Sequence, residues 1–125
     1  MAKNGMMDKF IDAIKKELSW AEQKHPFFAH VPGWGCLDKE GVDEALQARR
    51  DYLKLQIEQG RVTGFSVLMC EMWEAEEAIH NGDYDAALKE LAQCGAVVLR
   101  NMELVQKMKN SKEKRERVKG AGNEL

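Results

Sequence analysis

The sequence predicts an all-α fold, most simply a four-helix arrangement with short connections. Apolar residues recur at helical spacing in four separate stretches. Nowhere do apolar and polar residues alternate convincingly with a period of two. Helix-stopping residues, Gly60 and Gly82 among them, fall between the stretches.

Phe10, Ile11, Ile14 and Leu18 predict a first helix over residues 7–23. The segment from His25 to Gly35 contains both prolines, Pro26 and Pro32, and reads as the one clear loop. Val42, Ala45, Leu46, Leu53 and Ile57 predict a second helix over 39–59, with Gly60 as its C-cap. A third is expected from about Thr63 to Asn81. Gly82 ends it, and Asp83 is placed to N-cap a fourth. The fourth runs from Tyr84 to at least Lys109, about 40 Å at 1.5 Å per residue. That is long for so small a domain, and its apolar stripe continues through Met102 and Val105. Its far end is therefore expected to pack on another subunit or to fray, and a homo-oligomer is expected. Residues 1–110 read as one domain and residues 111–125 as a basic C-terminal tail.

Composition narrows the function classes. A chain of 125 residues, 44% apolar and 32% charged, suits a single globular domain with a core that needs no disulfides. The net charge of −2 argues against general nucleic-acid binding. Seven Lys or Arg against two Glu between Lys107 and Lys119 read as a solvated helix end or tail, with a nucleic-acid arm the alternative. Three cysteines without CxxC spacing fit neither a disulfide framework nor a zinc site, and point to reduced thiols in the cytoplasm. No apolar run approaches the roughly 20 residues needed to span a bilayer, and the first residues are too polar for a secretory signal.

The third and fourth helices carry one pattern twice. Leu68, Glu71, Met72, Glu74, Ala75 and Ile79 recur 19 residues later as Ala87, Glu90, Leu91, Gln93, Cys94 and Val98. At about 100° per residue the apolar members form a stripe, with the polar members on its flank. An antiparallel hairpin would bring both polar pairs to one groove. Three carboxylates and an amide oxygen there suit a hard cation such as magnesium, which takes oxygen ligands and keeps positions for substrate phosphates. Manganese accepts the same ligands. The plainer alternative is a solvated helix face.

The stretch Leu68-Met69-Cys70-Glu71-Met72-Trp73-Glu74-Ala75, then Gly82-Asp83, then Leu88-Lys89-Glu90-Leu91-Ala92-Gln93, resembles the EExxE–turn–ExxD signature of the MazG-like all-α nucleoside triphosphate pyrophosphohydrolases. Cys94 to Glu103 resembles the continuation of that motif, and Trp20-Ala21-Glu22-Gln23-Lys24-His25-Pro26 resembles a segment of the short MazG-like subgroup. The strongest resemblance covers about a third of the chain. It implies hydrolysis of a nucleoside triphosphate to a monophosphate and pyrophosphate, with magnesium on Glu71, Glu74, Glu90 and Gln93 and with Glu74 touching the attacking water. It also implies a homodimer or homotetramer. Two positions depart from the motif. Cys70 replaces its first Glu, and a thiol is a poor magnesium ligand. Gln93 replaces its Asp, so the site lacks one charge, although ExxQ also occurs in the short subgroup. The alternative is thus a catalytically impaired module that binds nucleotides or proteins. Cys70 lies about 170° from the centre of the stripe, so partial exposure is expected.

Arg100, two turns beyond Gln93, and Arg49, Arg50 and Lys54 on the second helix are candidate phosphate contacts. The alternative is ordinary surface charge, on the second helix paired with Glu44, Asp51 or Glu58. Trp20, Phe27 and Trp34 are candidate base contacts, beside the simpler role of anchoring the loop together with Phe28. Gly95 beside Ala92 and Ala96 predicts a close helix–helix approach. Glu77-x-x-His80 matches half of a di-iron motif, but no second copy exists.

Overall fold

The computed structural model describes residues 2–36 and 38–123. Four helices account for nearly all of them: α1 (Ala2–Lys24), α2 (Lys39–Glu58), α3 (Gly64–His80) and α4 (Tyr84–Asn123). There is no strand among the described residues. The fold is the all-α, four-helix arrangement that the apolar periodicity predicts.

The ends of the helices follow from local chemistry. The Asp38 carboxylate accepts from the Glu40 N–H and opens α2. Gly60, at φ 66°, takes the left-handed conformation that closes it. Thr63 caps α3 through the Ser66 N–H at 3.2 Å. Gly82, at φ 74°, turns the chain, and Asp83 accepts from the Ala86 N–H at 3.1 Å to start α4. These short turns make α2, α3 and α4 successive antiparallel neighbours.

α3 is the centre of the molecule. It packs on α2 along one side and on α4 along another, while α1 touches α4 alone among the described residues. The core is small: Phe10, Val42, Leu46, Cys70, Ala75, Ala87 and Cys94 are buried. Much of the apolar surface stays outside it. Ile11, Ile14 and Leu18 on α1, and Leu88, Leu91, Val98, Leu104, Val105 and Met108 on α4, are exposed. The fourth-helix stripe is thus only half covered by its own chain.

Four expectations need correction. Cys70 is 6% exposed rather than partly open. The helical wheel assumed one buried face, but α3 is covered on two sides, and Cys70 lies against the second. Gly95 has open space where a Cβ would stand. The close approach occurs instead at Gly64, where a Cβ would collide with the Asn101 side chain. Phe27 and Phe28 do not anchor the loop; they are 93% and 95% exposed. The stretch expected as a tail continues α4 without a break as far as Asn123, about 60 Å of helix from its start.

Candidate functional site

The hairpin of α3 and α4 places the repeated polar residues face to face. Glu71 and Glu74, three apart, project from one helix, and Glu90 and Gln93, also three apart, meet them from the other. One carboxylate oxygen from each of Glu71, Glu74 and Glu90 lies within 4.8 Å of the others. All three side chains are half-buried. Among the described residues this is the only grouping of three or more potential ligands, and it excludes Glu77 and His80.

Gln93 closes the fourth side. With its nitrogen turned inward, its amide donates to Glu90 Oε2 at 2.8 Å and to Glu71 Oε2 at 2.9 Å. The donor set is wholly oxygen, the ligand type that magnesium takes.

The local electrostatics favour a cation too. Burial raises the Glu71 carboxyl above its ordinary value, and the charges of Glu74 and Glu90 raise it further. Glu74 is raised by burial and by the charge of Glu90, with Arg50 opposing. Arg50 Nη2 stands 3.6 Å from Glu74 Oε1, across from α2. A shallow cleft of about 300 Å³ opens beside this pair, lined by Arg50, Glu74, Glu77, Asn81, Asp83 and Glu90 among others.

Cys70 Sγ lies 3.8 Å from Glu74 Oε1, close enough for a weak donation. Its thiol is pushed up by burial and then by the charge of Glu74. Cys94 is pushed up by burial and by Glu71 and Glu90. Both therefore stay protonated, and neither offers a thiolate to a metal.

The other candidates divide. Arg50 belongs to the cluster, not to a surface pair on its own helix, and Asp51 instead accepts from Gln47 at 2.8 Å. Arg49 and Lys54 are exposed on α2. Arg100 lines a different cavity of about 210 Å³, beside Thr63, Gly64 and Asn101 at the start of α3. Trp20 is half exposed, with Lys24 Nζ 5.0 Å from its ring centre.

The loop holds what sequence reasoning missed. The Glu76 carboxylate, in a side chain only 3% exposed, accepts from the Trp34 and Cys36 N–H groups, each at 3.0 Å. His80 Nδ1 lies 3.3 Å from the Cys36 carbonyl oxygen. Gly33, at φ 63°, packs against Glu76 so closely that a Cβ would strike the carboxylate. Trp34 stacks on Trp73 with ring centres 4.2 Å apart. One available signal was the position of Glu76, only about 40° from Met72 on the helical wheel and thus beside the apolar stripe.

Comparison with protein-family models, with curated proteins and with solved structures finds no match to this chain.

Proposed function

We propose that this protein is a magnesium-dependent nucleoside triphosphate pyrophosphohydrolase of MazG-like type. One observation carries the reading: Glu71, Glu74 and Glu90 converge within 4.8 Å on a hairpin whose sequence resembles the family signature. Bound magnesium would polarise the phosphate oxygens and stabilise the charge that develops as the bond breaks. Glu71, Glu74 and Glu90 would hold it, with the Gln93 amide oxygen as a further ligand. Glu74, at the edge of the cleft beside Arg50, would accept a proton from the attacking water. That water adds to phosphorus, and pyrophosphate leaves a nucleoside monophosphate behind. Arg50 is the cation nearest the cluster and meets a phosphate from across the cleft. Arg49 and Lys54, exposed on the same helix as Arg50, are the further candidates for the rest of the triphosphate, whereas Arg100 faces a different cavity. Trp34, stacked on Trp73, lines a separate cavity with Met72, Glu76 and Ile79, away from the cleft beside the cluster, and is not a base contact in this reading.

The working form is a homodimer or homotetramer. The isolated chain exposes 10116 Å², about half as much again as a compact monomer of this mass. The exposed apolar residues of α1 and α4 supply the surface that association would cover. No helix is long and apolar enough to cross a membrane among the described residues. Three free cysteines suit the cytoplasm.

A second reading rests on Cys70. A buried, protonated thiol cannot replace the missing carboxylate, which favours a module that binds nucleotide without turning it over. Pyrophosphate release from a panel of nucleoside triphosphates, with magnesium and with chelator, separates the two. Magnesium-dependent release supports the enzyme. Nucleotide-dependent thermal stabilisation without release supports the binding module. Neither effect with any nucleotide would sink both.

A further inference from the structure

We infer that α1 is the assembly helix: it pairs antiparallel with α1 of a second copy of this chain, with Ile11 of each seated against the partner's Ile14. The inference rests on the homo-oligomer reading above and on nothing at the acidic cluster. Phe10 is the one buried residue among those described on α1. A 23-residue helix draws most of its stability from an apolar face packed on something else, and one side chain supplies little of that. About 60° round the helix from Phe10, Met7, Ile11, Ile14, Leu18 and Ala21 recur in alternating steps of four and three. That is the a and d spacing of a coiled-coil seam. On it, Ile11, Ile14 and Leu18 are 37%, 41% and 56% exposed. The seam continues into the uncovered stripe of α4, because Phe10 shares a cavity of about 390 Å³ with Val98, Met102 and Val105.

Area and charge name the occupant. The chain exposes 10116 Å², about 3000 Å² beyond a compact monomer of this mass, and a stable pair needs about 800 Å² from each partner. Asp8 and Lys15, both exposed, flank the seam on one side. Antiparallel pairing with Ile11 against the partner's Ile14 sets Met7 against the partner's Leu18. It also sets Asp8 beside the partner's Lys15, and by symmetry does so twice. Sliding one helix by a heptad would bring Lys15 against Lys15 and Asp8 against Glu22. Parallel pairing would bring Glu17 against the partner's Glu22. The flanking charges thus complement a second α1 in one orientation and one register.

Sedimentation equilibrium of the full chain at low salt tests this. Ile14→Asp should halve the mass in solution, with helical circular dichroism checking that the chain still folds. Asp8→Lys and Lys15→Asp are surface changes that spare the fold. Each alone sets like charges together twice and should raise the dissociation constant about tenfold. The double variant Asp8→Lys/Lys15→Asp exchanges the two charges and should recover the parent value. Single reversals without effect, or a double variant as weak as they are, would overturn the pairing. Association that survives Ile14→Asp but is lost in Met108→Asp, on the exposed face of α4, would overturn it too and leave the oligomer standing. A parent chain that is monomeric at high micromolar concentration would remove both, with the reading of the acidic cluster untouched.

Discussion

Replacing Cys70 with Glu supplies the first carboxylate of the EExxE pattern that the chain resembles, and the fold says what that costs. The position is 6% exposed, and its sulfur lies 3.8 Å from Glu74 Oε1. A second carboxylate about 4 Å from Glu74 repels it by about 4 kcal/mol at an effective dielectric near 20. Withdrawing the new charge from water adds a few kcal/mol. Arg50, 3.6 Å from Glu74, offsets part of this. The net loss for the metal-free protein is about 3–5 kcal/mol, which lowers the melting temperature of a chain this size by about 10–20 °C. Cys70→Ala, a small cavity without a charge, should cost only about 1–2 kcal/mol. Saturating magnesium should return a large part of the loss in Cys70→Glu, because the added carboxylate then faces a cation. Calorimetric melting with magnesium and with chelator reads both effects. Melting of metal-free Cys70→Glu within about 3 °C of the parent would refute the burial argument.

Four further outcomes follow from the same geometry. Gln93→Asp should bind magnesium about tenfold more tightly, equivalent to about 1.4 kcal/mol, while Glu71→Gln and Glu90→Gln should abolish binding and pyrophosphate release; titration calorimetry measures the first and a pyrophosphate assay the second. Gly33→Ala should lose about 2–4 kcal/mol, because the left-handed backbone penalises a side chain and a displaced Glu76 leaves two N–H groups unpaired; unchanged denaturant unfolding would contradict the loop latch. Glu71 and Glu74 have carboxyls raised above 4.5 in the folded chain, so the native state binds protons that the unfolded chain releases. Metal-free stability should rise as pH falls from those raised values toward 4.5, magnesium affinity should weaken through the same window, and the stability rise should vanish in a Glu71→Gln, Glu74→Gln double variant melted in parallel. Light scattering at micromolar concentration should give at least twice the monomer mass, and a monomer would leave the exposed faces of α1 and α4 unexplained.

The hairpin was legible because its determinants are local. Thr63, Gly82 and Asp83 act within a turn of where they stand, and the 19-residue repeat sets the register of Glu71 against Glu90 without reference to the rest of the chain. Cys70 and Glu76 were not legible for the opposite reason. Their environment comes from α2 and from a loop about 40 residues upstream, whose backbone N–H groups take up the Glu76 charge. A wheel drawn for one buried face puts Cys70 in water, whereas a helix covered on two sides has no such simple outside. The half-covered stripe on α4 misled in the other direction: Leu91 and Val98 have the spacing of core residues but remain exposed in the single chain.

The stacked indoles also give the molecule an optical signature of its own. Trp34 and Trp73 lie 4.2 Å apart with their planes 18° from parallel. At that separation two indole transition dipoles couple, and the circular dichroism of the pair splits into bands of opposite sign. Trp20, the remaining tryptophan of the three, lies outside the stack on α1. The split signal should therefore report the seating of residues 33–36 on α3 and can be measured in unlabelled protein.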